Sequence, residues 1–179
     1  AMYYVDNATG PANIYNVAFA YEALRGTTTA ANNTGIQNSA IGYQALFINS
    51  TGSRNTALGH SVLFNNSIVN DNIGIGYIAM FDNLSGNENN ALGSNTLRFN
   101  QSGDANIGIG VDALRTNISG DNNVAVGDNA LRVNTSRENT ALGRDAGLLN
   151  TTGSNNTFIG SRSNASASNL INASAIGYN

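Results

Sequence analysis

The chain of 179 residues contains no Cys, no Trp and no Lys, a single Pro (Pro11), a single His (His60), and only 11% charged residues. Without Cys there are no disulfides, no thiolate metal sites and no Cys nucleophile, and the redox compartment stays open. Without Lys all eight basic residues are Arg, scattered along a chain of net charge −3. A basic patch for nucleic acid is therefore not expected. No apolar run approaches a membrane span, so direct membrane insertion by this chain is not expected either. No basic and then apolar leader opens it, and Ala1-Met2 suggests a piece of a longer chain.

Asn outnumbers every other residue type, and Gly occurs 20 times. These are the two residues most tolerant of positive φ, so their abundance predicts frequent turns. A hydrophobic content of 41% at low charge argues against disorder, which needs high net charge and little to bury.

The chain repeats. "NSAIGYQALFINSTGSR" at 38–54 is followed at once by "NTALGHSVLFNNSIVND" at 55–71, and the Gly closing the Ala-aliphatic-Gly triplet sets the register. It recurs at Gly42, Gly59, Gly76, Gly93, Gly110, Gly127, Gly143, Gly160 and Gly177, with Ala20 in that place in a divergent upstream copy. Four residues before it stands an Asn column, from Asn16 and Asn38 to Asn156, and one residue before it a large aliphatic side chain (Ile41, Leu58, Ile75 and so on). Three and four residues after it come a small residue and then usually Leu, as in Ala45-Leu46; seven after it runs a second Asn column, Asn49 to Asn150.

Each unit reads as two short strands separated by turns, with nothing long enough for a helix. Seventeen residues cannot bury a core alone, so units must stack as coils of a parallel solenoid. At a rung spacing of about 4.8 Å, about ten 17-residue coils give a rod roughly 45–50 Å long. The layout is an N-terminal cap or junction at 1–15 and a repeat domain at 16–179. Within it lie a divergent coil (16–37), regular coils (38–160), an irregular segment (161–172) and a last coil (173–179). Asn fits its columns for two reasons, turn conformation and side-chain ladders along the stack, and the sequence does not choose between them. The adjacent apolar pair would point to opposite faces of its strand. One face would fill the coil and the other would meet a second copy of the chain, which predicts a homo-oligomer.

The unit Asn-x-Ala-(Ile/Leu)-Gly-x-x-Ala/Ser, clearest in "NSAIGYQAL", "NTALGHSVL", "NNALGSNTL" and "NVAVGDNAL", resembles the head repeat of YadA-like trimeric autotransporter adhesins. The longer form also resembles arrays in phage tail-fibre-like surface fibres, and the likeness covers residues 13–179. It implies an all-β, left-handed parallel β-roll assembled as a homotrimer, and a location outside the cell, on a bacterial surface or a virion fibre. It further implies an adhesin head segment attaching to cell-surface glycans or proteins, or alternatively a passive spacer of a fibre shaft with the binding tip elsewhere.

Catalysis needs convergent acid, base or nucleophile groups, and none is visible. His60 shares a repeat column with tyrosines, most Asp residues occupy turns, and no Ca²⁺-binding glycine-aspartate repeat is present. No enzyme activity, cofactor or metal is expected. Two columns could serve recognition. Tyr21, Tyr43, His60 and Tyr77 follow the register residue and could present a carbohydrate-binding face. Five residues after it run Phe47, Phe64 and Phe81, then Arg98, Arg115 and Arg132, whose guanidinium groups could bind acidic sugars or phosphates bidentately. The competing expectation is that Phe and Arg pack at a subunit interface, with Arg paired to Asp or Glu.

Overall fold

In the computed structural model, residues 15–178 are described. The expected cap at 1–15 therefore lies outside the described residues apart from Tyr15. Ten strands of three residues each form one parallel sheet in sequence order. They are β1 Val17–Phe19, β2 Ser39–Ile41, β3 Thr56–Leu58, β4 Ile73–Ile75, β5 Asn90–Leu92, β6 Ile107–Ile109, β7 Val124–Val126, β8 Thr140–Leu142, β9 Thr157–Ile159 and β10 Ser174–Ile176. The protein is a β-solenoid. Strand pairing is offset by 17 residues at most steps, as in Ala40↔Ala57, by 16 at β7–β8 and by 22 at β1–β2. The 16- and 17-residue steps make about eight regular turns.

The two irregular steps have local causes. The extra residues between β1 and β2 form a 3-10 turn at Ala30–Asn32. Asn33 closes it, accepting from the Thr27 N–H at 2.8 Å and donating to the Thr27 carbonyl at 3.0 Å. At the 16-residue step the Ser136 carbonyl accepts from Asn123 Nδ2 at 2.8 Å, the bond that the Gly120 carbonyl makes with Asn106 one coil earlier.

One expectation is overturned. Each coil has one strand, not two, and the small-Leu pair lies in a turn. Gln44 and Leu46 take φ of 52° and 50°, a pattern that recurs at Leu63, Met80, Leu97, Leu114 and Leu131. Neighbouring coils still bond there: the Leu46 N–H donates to the Val62 carbonyl at 3.0 Å. With left-handed residues interspersed, side chains no longer alternate between faces, and both Ala45 and Leu46 are fully buried. The left-handed conformation costs about 1–2 kcal/mol per residue, a cost of the same order as the about 1.5–3 kcal/mol that full burial of Leu contributes, and the inter-coil hydrogen bonds add to that burial. The pair thus presents no outward apolar face.

The outward apolar face lies on the strands instead. The middle residue of each triplet from β2 to β9 points inward and is buried, while the aliphatic column points out. Leu58 is 44% exposed, Leu92 46% and Leu142 51%, with Ile41, Ile109 and Ile159 close behind.

Inside, side-chain volume is matched between coils. A Cβ added to Gly74 would lie 2.5 Å from Val62 Cγ1, and one added to Gly108 2.6 Å from Thr96 Cγ2. Where the turn residue is Ala45, Ala79 or Ala113, the inner strand residue of the next coil is Ala (Ala57, Ala91 and Ala125). Each Gly therefore makes room for a larger neighbour, which explains the "GIGIG" segments. A similar exchange occurs where Phe158 fills the inner strand position and Gly147 replaces the column Leu. A Cβ on Gly147 would meet Phe158 Cδ2 at 2.7 Å.

Side-chain hydrogen bonding accounts for the two Asn columns; no Asn of either column takes a positive φ, which falls on other residues such as Asn95 and Asn129. In the first, the Asn55 N–H donates to Asn38 Oδ1 at 2.9 Å, and Asn38 Nδ2 donates to the Gly52 carbonyl at 2.8 Å. In the second, Asn117 Nδ2 donates to Asn100 Oδ1 at 3.0 Å and to the Gly120 carbonyl at 2.7 Å. These buried amides bond along the stack and to turn carbonyls, as most buried polar groups do, while Asn49 Oδ1, Asn66 Nδ2 and Asn117 Oδ1 keep no partner.

Candidate functional site

The register glycine brings the candidate columns together. Gly93 has φ 139°, and a Cβ there would lie 2.5 Å from the Gly110 carbonyl oxygen. Consecutive coils therefore touch backbone to backbone at this corner, and the residue that follows lands one rung above its equivalent.

Tyr21, Tyr43, His60 and Tyr77 form one continuous ladder along the rod. Ring centroids are 5.4, 4.8 and 5.3 Å apart, within the usual range for aromatic pairs. All four residues are exposed. The stacking decides what they can offer: inner faces are occupied by neighbouring rings, so ring edges, phenol hydroxyls and the imidazole edge face solvent. Stacking of a sugar on a free ring face is confined to the ends of the ladder. The column then continues without aromatics through Ser94, Val111, Asp128 and Arg144.

Phe47, Phe64 and Phe81 form a second, half-buried ladder, with centroids 4.6 and 4.9 Å apart. Arg25 covers its upper end, its guanidinium carbon 4.0 Å from the Phe47 centroid, and Glu22 sits 3.5 Å from Arg25 Nη1. The same column continues as Arg98, Arg115 and Arg132, where acids are fewer than guanidinium groups. Asp112 stands 3.7 Å from Arg115 Nε and 3.8 Å from Arg132 Nε. Both separations are too long for hydrogen bonds. Arg98 has no carboxylate partner among the described residues; its Nη1 donates to Asn95 Oδ1 at 3.5 Å, and its guanidinium lies 4.8 Å from the Phe99 centroid. The Nε atoms of Arg25, Arg98 and Arg115 are all buried without a hydrogen-bond partner. Arg25 thus has its own acid at 3.5 Å, Arg115 and Arg132 share one at longer range, and Arg98 has none among the described residues.

A third feature was legible only as turn residues. Arg54, Asn70, Asp71, Asn87, Glu88 and Asp104 line a shallow open groove. Arg54 binds Asp71 bidentately, Nε to Oδ1 at 2.6 Å and Nη2 to Oδ2 at 2.8 Å. Those hydrogen bonds hold the Asp71 carboxyl below its usual range and raise Arg54. Arg and Asp lie 17 residues apart in equivalent turn positions, so the repeat period itself was the signal that could have paired them. Among the described residues no group of three or more His, Asp or Glu side chains could hold a metal ion. No protein-family model, no curated protein and no solved structure matches this chain.

Proposed function

We propose that the chain is a head segment of a trimeric surface fibre, a left-handed β-roll that attaches to cell-surface glycans or proteins and performs no catalysis. The observation that carries this is the aliphatic column on the outer face of the ten-stranded sheet, exposed at nearly every rung. A continuous apolar stripe of this length is a liability in a solitary chain and marks an interaction surface. Three copies that turn their strand faces toward a common axis cover it in one symmetric, closed arrangement. Attachment then falls to what such a trimer leaves outside, namely the Tyr/His ladder (Tyr21, Tyr43, His60, Tyr77) and the Arg column (Arg98, Arg115, Arg132). A location on a bacterial surface or a virion fibre follows from the resemblance of the repeat.

The alternative, a passive spacer, draws on one observation: both aromatic ladders close their inner ring faces on one another. The two are separated by applying the purified chain to immobilised cell-surface glycans and matrix proteins. Saturable binding that is weakened by substitution within the Tyr/His or Arg column supports the adhesive head. Absence of binding to every surface tested supports the spacer.

A further inference from the structure

Resting on that proposed attachment role, we infer that Arg98, Arg115 and Arg132 form a rail for a linear acidic polysaccharide, whose carboxylate or sulfate groups meet successive coils. One guanidinium per coil over three coils puts positive charge at intervals of about 4.8 Å along the rod. Asp112 is the one carboxylate within ion-pair distance of them among the described residues, and it serves two of the three. Arg25 shows how the same column looks when neutralised: Glu22, three residues earlier, pairs with it. At the equivalent position, Arg98 and Arg132 have the neutral Asn95 and Asn129.

Phe99 supports the arginine stems, lying beneath Arg98 and 5.7 Å from the Arg115 guanidinium. The Nη groups of Arg115 and Arg132 make no hydrogen bond within the described chain, so their planar forks are free for bidentate oxyanions. A compact anion would engage one rung. A flexible polymer with an acidic group on each unit engages all three. The acidic turns at Asp71, Glu88 and Asp104, which line the groove, would repel it elsewhere, so the polymer aligns with the rail. A duplex nucleic acid, broad and densely charged, would meet those turns as well.

The test uses the full chain and titrates oligogalacturonate by calorimetry at low salt. A fully methyl-esterified oligomer serves as the neutral control, dextran sulfate as the sulfate arm, and a DNA oligonucleotide as the competing polyanion. The acidic oligomers should bind, the ester should not, and added salt should weaken binding. Arg98→Gln and Arg132→Gln should each weaken binding roughly tenfold, the worth of one charge-assisted hydrogen bond. Asn95→Asp and Asn129→Asp, which restore the arrangement around Arg25, should weaken it similarly, whereas Asp112→Asn should tighten it several-fold. Arg54→Gln should leave it unchanged.

Equal binding of the esterified oligomer, DNA binding as tight as that of the glycans, or insensitivity to Asn129→Asp and Asp112→Asn would overturn the rail. Attachment through neutral glycans alone would overturn the rail and leave the proposed function standing, while binding to no glycan or protein at all would remove both.

Discussion

Phe47, Phe64 and Phe81 occupy the same column of the same backbone as Arg98, Arg115 and Arg132, yet the two triplets do opposite things. The rings stack on one another and leave little undone: the faces between them are closed and Arg25 covers the outer face of Phe47. The guanidinium groups cannot satisfy one another. Like charges one rung apart repel, and a single carboxylate, Asp112, faces two of them. A repeat thus converts one position into a stabilising stack or an unsatisfied rail by the choice of residue alone. The aromatic half spends the position on stability, and the middle keeps it available.

The sharpest break of this contrast is Phe64→Ala, which removes the central ring. It should destabilise the chain by about 2–3 kcal/mol, half-buried as Phe64 is. Arg115→Ala, at the equivalent place in the rail, should cost less than about 1 kcal/mol. Urea titrations of both variants measure the difference. A second comparison should show no difference between the halves. Gly74→Ala in the aromatic half and Gly108→Ala in the middle should each cost about 2 kcal/mol by overpacking. Val62→Ala should relieve the first and Thr96→Ala the second, and double-mutant cycles read that coupling.

Turning the rail into the stack is the next test. Arg98→Phe would extend the ladder from Phe81 by one ring and should raise stability by about 0.5–1.5 kcal/mol, seen as a higher Tm. The smallest effect belongs to the Arg54–Asp71 pair. The folded-state pKa of Asp71 is depressed, so its contribution is present above the ordinary carboxylate range and is lost as pH falls through the lowered value. An Asp71→Asn variant should match the parent at low pH and be slightly less stable at neutral pH, in denaturant midpoints measured across that range.

Much of the fold was legible because the repeat is so regular. The register Gly, the Asn columns and the period match the pairing offset of the strands, and each strand triplet begins one residue before the Ala-aliphatic-Gly triplet. The second strand was misread for a physical reason: adjacent apolar residues mean two buried faces only if the backbone is extended, and Leu46 and its equivalents are left-handed. The outward apolar stripe was expected, but on the wrong segment. The inner exchange of Phe158 for Gly147 was invisible, since volume matching between residues of different columns has no signature in a single copy. Among the candidate residues, the column assignments placed the Tyr/His ladder and the Arg rail in line. Sequence could not show that stacking would close the ring faces, because that depends on the rung spacing.

The central claim, that the exposed strand face is an assembly surface, is tested most directly by sedimentation equilibrium of the purified chain beside Leu92→Asp, which puts a charge in the middle of the stripe. The parent should sediment at three times the 18.6 kDa chain mass, and the variant should shift toward single chains while keeping the β-rich circular dichroism of the parent. A parent that sediments as a monomer at all concentrations, or a trimer indifferent to Leu92→Asp, would contradict it.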